Sequence, residues 1–340
     1  MFDTFVGQQH TKTNLELLVG AVKNGRQMPH LGLYGPTGSG KSTLAELIAE
    51  EIGAEQCVAI NAVSILTPAH LRNLIAPALK NYIYDKKYII IIDEAHALDE
   101  KIQTLLLTAL EKPAILSTPV PHTIKIPGGK TLKRGDILRE KLPESISFIF
   151  CTTDKSSLLD TLCNRLHPLY LDDYTIDEKV QYIRNTLIKF DTTIEDSAAE
   201  LMAKGAKNMR HLAKLCDRLM DYKLSYNVAS AVFSDNEING LFKILGIDAH
   251  GRDKNDIKYI EYVGSHGPIS ITNIAQYLNM SSKDVIDKVE PFLVRSGWIN
   301  ITKRGRELTD SAIILFYKDK LSNISQHGKE TILNIMDLKI

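Results

Sequence analysis

Cysteine is scarce in this chain of 340 residues: Cys57, Cys151, Cys163 and Cys216 stand far apart, and no two form a C-x-x-C pair. That spacing argues against a zinc site or a disulfide framework and predicts buried free thiols, as in a reducing compartment. Neither sign of charge is in excess. Basic and acidic residues number 41 each, so no global field draws the chain onto nucleic acid, and any such contact must use local patches. Long apolar runs are missing as well. None approaches the ~18 residues of a membrane span, and the opening stretch MFDTFVGQQHTKTN lacks the basic and apolar regions of a secretory leader. These absences predict a cytoplasmic protein with no membrane segment. There is no internal repeat and no low-complexity tract, and the single tryptophan, Trp298, is expected in a core.

What is present is an alternation of strands and helices. HLGLYG (30–35), QCVAINA (56–62), KYIIIIDE (87–94) and SISFIFCTT (145–153) read as apolar strands, the β-branched runs suiting a parallel sheet covered on both faces. KSTLAELIAEEIG (41–53) and ALDEKIQTLLLTALEK (97–112) carry apolar residues at helical spacing. This predicts a doubly wound α/β domain over residues 1–172. Within it, Gly128, Gly129 and Gly135 predict a hairpin projecting over about 122–143. Residues 173–250 read as an all-α domain, and 251–313 as three short helices followed by strand, basic turn and strand. Residues 314–340 are expected as a terminal helix or loose tail.

Two motifs carry chemistry. GPTGSGKS (35–42) fits G-x-x-x-x-G-K-[ST] between a strand and a helix. In Gly35, Pro36, Thr37, Gly38, Ser39, Gly40, Lys41, Ser42 and Thr43, glycines let amides close around phosphate oxygens at a helix N-terminus. Lys41 is then expected on the β- and γ-phosphates of ATP, and Ser42 on Mg²⁺. The second motif is YIIIIDEAH (88–96), in which Asp93 and Glu94 end the most apolar strand. In a parallel sheet ligands gather at the carboxyl ends of strands, so Asp93 is expected on the metal and Glu94 on the attacking water. The letters DEAH also name a helicase class. Its members need a second ATPase-like lobe with an arginine-rich motif such as QRxGRxGR, which is absent here.

Together, phosphate loop, acidic strand end, polar-tipped strand and helical segment resemble the AAA+ P-loop ATPases, and among them the RuvB family of Holliday junction motors. The resemblance runs from about residue 2 to 312. It rests on FVGQ (5–8), LYGPTGSGKSTLA (33–45), IIDEAHAL (91–98), TTDKSSLLDTLCNRL (152–166), GRDKNDIKYI (251–260) and VEPFLVRSGWINITKRGR (289–306). It implies an ATPase domain, a helical lid domain and a winged-helix domain. By the same resemblance Thr153 matches the sensor of the γ-phosphate, Arg165 an arginine finger that serves a neighbouring subunit, and Arg210 a second sensor on the lid. Phe5, Val6 and Tyr174 match the adenine pocket, although Phe5 and Tyr174 suit core packing as well. A surface ion pair is the alternative use for Arg165. Lys303, Arg304 and Arg306 are expected at the wing tip against DNA phosphates.

The implied function is an ATP-driven motor on duplex DNA, at four-way junctions, working as a hexameric ring. A loader or replication factor of the same superfamily, or an ATP-gated binding switch, are the alternatives. Departures from the family pattern are local. Thr37 and Ser39 replace apolar loop residues, Ala97, Asp154 and Cys163 replace arginines, and Met209 replaces a proline. In the family an apolar hairpin docks on RuvA, the junction-binding partner. The resemblance implies a RuvA-type partner here too, docking on KIPGGKTLKRG, which departs from the family in being short of large apolar residues.

Overall fold

The computed structural model describes residues 1–80, 86–120, 123–125, 131–226 and 231–315. They form two compact units: Met1–Tyr182 with Asn208–His211, and Ile183–Lys207 with the chain from Leu212 onward. The expected tail beyond residue 315 and the glycines at 128 and 129 lie outside the described residues.

In chain order the first unit has α1 (Gln9–Lys23), β1 (Leu31–Tyr34), α2 (Lys41–Glu51), β2 (Gln56–Asn61), α3 (Pro68–Lys80), β3 (Tyr88–Asp93) and α4 (Glu100–Ala109). There follow β4 (Ile115–Pro119), β5 (Ile124–Lys125), β6 (Thr131–Leu132), β7 (Ile137–Lys141), β8 (Ile146–Thr152), α5 (Asp160–Cys163), β9 (His167–Tyr170) and α6 (Ile176–Ile188), which runs on into the second unit. Strands β2-β3-β8-β1-β9 make one parallel sheet. The isoleucine run of β3 is buried throughout because successive side chains feed opposite cores. Ile89 and Ile91 pack with residues of α1 and α2, and Ile90 and Ile92 with residues of α3 and α4. Full burial of each such side chain is worth about 1.5–3 kcal/mol.

Some boundaries differ from expectation. β2 is an edge strand, exposed at Cys57 and Ala59, so it is not covered on both faces and one expected buried thiol is exposed. The helix expected over 97–112 starts only at Glu100, after a 3₁₀ turn at Ala95–Ala97. The hairpin begins earlier than predicted: β4 pairs antiparallel with β7 from Ile115, and β5 with β6 nearer the tip.

The second unit carries α7 (Asp196–Gly205), α8 (Met209–Ser225, its first turn counted with the first unit) and α9 (Asp235–Leu245). It also has a two-residue parallel pair, β10 (Thr193–Ile194) with β11 (Val232–Phe233). Then come α10 (Lys254–His266), α11 (Ile271–Leu278), α12 (Ser282–Asp284) and α13 (Glu290–Arg295). A π turn at Val285–Val289 joins the last two, where Pro291 supplies no N–H to the preceding turn. β12 (Ile299–Thr302) and β13 (Gly305–Leu308) form an antiparallel wing, and Ile269 bridges to Arg306 at its side. Trp298 is buried in this core, as expected.

One expected contact is overturned here. Arg306 does not stand at the wing tip. It lies on β13, where its Nε and Nη2 donate to the two carboxylate oxygens of Glu290 at 2.8 and 3.3 Å. Glu290 is only 3% exposed and also accepts from Tyr259 Oη at 2.9 Å. Strand alternation turns Arg306 inward and leaves Lys303 and Arg304 exposed in the turn.

Removing one partner of a buried bidentate pair strands the other charge. Arg306→Ala is therefore expected to destabilise the second unit by about 3–5 kcal/mol in urea unfolding, whereas Lys303→Ala and Arg304→Ala shift it by under about 0.5 kcal/mol. A second expectation concerns pH. Asp256 is fully buried, and burial lifts its pKa to about 6 although Lys207 faces it. The folded state then binds the extra proton between the ordinary value near 4 and about 6, so this group opposes folding most strongly above that window and least below it. The urea midpoint of Asp256→Asn, relative to that of the native protein, should be higher at pH 7.5 than at pH 4.5.

Candidate nucleotide-binding site

The parallel register sets the site. Tyr34, the last residue of β1, pairs with Thr152 at the end of β8, and Asn61 at the end of β2 pairs with Asp93 at the end of β3. The phosphate loop leaves β1 at that edge and re-enters as α2. Gly38 (φ 82°) and Gly40 (φ 90°) hold left-handed backbone, which turns the loop back over the strand end. A Cβ on Gly40 would lie 2.8 Å from Phe5 and 3.2 Å from Tyr174 Oη.

The loop's amides are the binding elements. Among the described residues, the N–H groups of Gly38 and of Gly40 to Thr43 donate to no acceptor in the chain, and the first helical bond of α2 runs from Leu44 to Gly40. Unpaired donors at a helix N-terminus are the chemistry a phosphate requires. Lys41 Nζ donates to the carbonyls of Gly35 and Pro36, each at 2.8 Å. Burial lowers its pKa against the pull of Asp93 and Glu94, and Arg210 is near enough to lower it further. Ser42 Oγ donates to Asp93 Oδ2 at 2.9 Å. This pair of hard oxygens suits Mg²⁺, which takes few protein ligands beside phosphate oxygens and water. Ser39 is buried, and its Oγ makes no hydrogen bond.

Glu94 stands at φ 52°, a strained backbone for a residue with a side chain. Its Oε2 lies 3.5 Å from His96 Nδ1, which is also 3.3 Å from Thr152 Oγ1. Nothing in the sequence motifs marks His96 or Thr152 for this contact. Both threonines of CTTD offer the same hydroxyl, and only the end of β8 separates them: Thr152 is buried within the strand, and Thr153 is exposed one residue beyond it. Asp154 caps the 3₁₀ turn 155–157, where hydrogen bonds from Ser156 and Ser157 lower its pKa. That is a local reason for an acid at a position where the family has arginine.

The remaining expected residues are spread around the site. Phe5 and Val6 are buried, and Tyr174 Oη donates to Ser39 O at 3.2 Å with burial raising its pKa. Phe5 and Tyr174 thus brace the loop from behind Gly40. Arg210 is exposed in the first turn of α8. Arg165 ion-pairs with Glu111 and donates to Thr161 O at 2.7 Å, the surface pair its sequence context left open.

Residues 1–122 match the family described as the Holliday junction DNA helicase RuvB P-loop domain, and residues 249–317 match the RuvB C-terminal winged helix domain. The Holliday junction branch migration complex subunit RuvB of Anaplasma marginale (strain Florida) is 31% identical over 313 residues, covering 91% of this chain and 89% of that one. Its counterpart from Thermotoga petrophila is 30% identical, again over 91% of this chain and 89% of its own. Among solved structures, the Thermotoga maritima RuvB Holliday junction branch migration motor superposes with a TM-score of 0.73 at 26% identity. It covers 93% of this chain and 96% of its own length.

Gly40→Ala places a methyl against Phe5 in left-handed backbone, whereas Gly53 (φ 64°) has open space around it. Gly53→Ala should cost about 1 kcal/mol and leave nucleotide affinity intact. Gly40→Ala should weaken binding of a fluorescent ATP analogue at least about tenfold, a loss of ~1.4 kcal/mol.

Proposed function

The chain belongs to the RuvB family, and from that premise we propose an ATP-driven motor that moves duplex DNA and migrates the branch of four-way junctions. The observation that carries the ATP-driven part of this reading is the Ser42–Asp93 bond of 2.9 Å beside a loop of unpaired amides, and the match to the RuvB domains carries the DNA part. The bond brings a phosphate cradle and a metal-type oxygen pair to one strand edge.

In this reading the amides of Gly38 and of Gly40 to Thr43, with the Lys41 ammonium, hold the phosphates of ATP. Ser42 and Asp93 would hold Mg²⁺, which neutralises charge on the β- and γ-oxygens when bound. Glu94 orients the attacking water and draws on its proton, and His96 holds that carboxylate toward Thr152. Thr153 reads the γ-phosphate, and Arg210 contacts it from the first turn of α8. Arg165 leaves Glu111 to serve a neighbouring subunit's site, the head-to-tail arrangement that closes rings; we take the ring to be hexameric. Phe5, Val6 and Tyr174 back the loop and border the adenine pocket.

The same reading divides the chain into an ATPase domain (1–172), a helical lid (173–250) and a winged helix (251–313). Lys303 and Arg304 meet DNA phosphates from the wing tip, and Arg306 supports the wing from inside. A RuvA-type partner would dock on the projecting hairpin. As a DNA motor the protein works in the cytoplasm.

The test is ATP hydrolysis and junction dissociation in one preparation. Lys41→Ala should abolish nucleotide binding. Glu94→Gln should bind ATP and form stable oligomers without turnover. Arg165→Ala should lower kcat by about 10³-fold or more, with ATP binding retained. A four-way junction should resolve into duplexes with the native protein and ATP, and a RuvA-type partner should accelerate it. Failure to dissociate the junction with and without such a partner would sink the branch-migration claim. Steady turnover by Lys41→Ala would sink the assignment of the site.

A further inference from the structure

Lys207 sits immediately before a segment that returns to the nucleotide site. Asn208 to His211 are counted with the first unit, and Lys207 with the second. Asn208 Oδ1 accepts from His211 N at 2.9 Å and so caps the start of α8. A Cβ on Gly38 of the phosphate loop would meet the side chain of Asn208 at 3.2 Å. Arg210, two residues on, is close enough to perturb the Lys41 ammonium.

On its other side Lys207 is gripped by winged-helix residues. Its Nζ reaches Asp253 Oδ2 at 2.7 Å and Asp256 Oδ2 at 2.5 Å, the N-cap residue and third residue of α10. Its carbonyl accepts from Arg295 Nη2 at 3.1 Å, and its ammonium lies 5.3 Å from the ring centre of Phe292, both residues of α13. The backbone just upstream is held too. Gly251 has φ 75° and lies so close that a Cβ there would be 2.7 Å from Gly205 Cα. The Lys207 side chain is 15% exposed and Asp256 is fully buried, so water screens this grip weakly.

We propose that Lys207 is a positioning residue through which the winged helix sets the Asn208–Arg210 segment, coupling DNA engagement to the nucleotide site. Three fixed points act on one short peptide: two carboxylates of α10 on the side chain, Arg295 on the carbonyl and Gly251 on the backbone before it. Asn208, the next residue in the chain, caps α8, so a shift of Lys207 acts on the start of that helix. A winged helix that moves when it takes up duplex DNA therefore pulls or releases Arg210. By linkage, nucleotide bound at the phosphate loop biases the winged helix in return. The inference rests on the role given above to Arg210 and on the DNA motor proposed above, and it adds that duplex DNA stimulates its ATP hydrolysis.

The experiment compares each full-length variant with and without duplex DNA, measuring KM for ATP, kcat and DNA affinity without nucleotide. Lys207→Met removes the grip and Asp253→Asn weakens it from the other end, leaving Asp256 in place, and asparagine still caps α10. Each should cut DNA stimulation of ATPase at least about fivefold, the low end of common coupling free energies, with KM moving more than kcat and DNA affinity unchanged. Lys207→Arg, which keeps the charge, should restore most of the stimulation. Full stimulation in both Lys207→Met and Asp253→Asn would overturn the proposal. So would parallel loss of DNA affinity in both, which would mark Lys207 as structural support for the winged helix. An Arg210→Ala protein with normal KM for ATP would refute the role of Arg210 separately, because the coupling is read as a ratio within each variant.

Discussion

Parallel pairing sends the carboxyl ends of β1, β2, β3 and β8 to one edge of the sheet, and the rest of the site depends on that constraint. With Tyr34 beside Thr152 and Asn61 beside Asp93, the phosphate loop, the acidic pair and the polar tip of β8 emerge together. A one-residue slip of β3 would turn its side chains to the opposite faces and carry Asp93 away from Ser42. Packing resists such a slip. Ile89 and Ile91 belong to one core and Ile90 and Ile92 to the other, so the register is held from both faces. The fold therefore spends its most apolar segment on placing two carboxylates.

Electrostatics then separates groups that look alike on paper. Among the arginines expected to meet phosphates or a neighbouring site, three have different surroundings. Arg306 is tied to the nearly buried Glu290, which makes it part of the wing's frame. Arg165 is paired with Glu111 across the surface and has to exchange that partner to act elsewhere. Arg210 is exposed in a helix's first turn, within electrostatic reach of Lys41. Carboxylates divide in the same way. Asp253 and Asp256 share Lys207, and the partly exposed Asp253 has a lowered pKa while burial raises that of Asp256.

Much of the first unit was legible because its signals are contiguous. The loop 35–42, the strand before it and the helix after it form one short stretch whose glycines and lysine have a chemical meaning together. The isoleucine run announced a buried strand, and the departure at Asp154 has a local explanation as the cap of the turn that follows. Less legible were the edge position of β2 and the early start of the hairpin at Ile115, since both depend on which strand lies alongside. The end of β8 was misjudged by one residue, and that displacement decides which of two adjacent threonines faces His96.

By itself the sequence determined the chemistry that a short peptide can carry: a phosphate cradle, a strand ending in two acids, a basic turn between two strands. Local geometry and residue type suffice for these. Only the tertiary structure decided what depends on partners distant in the chain. Glu290 claims Arg306, His96 joins Glu94 to Thr152, and Lys207 answers to two acids of α10. A charge acquires its role from the burial and the counter-charge around it, and the folded chain alone brings those together.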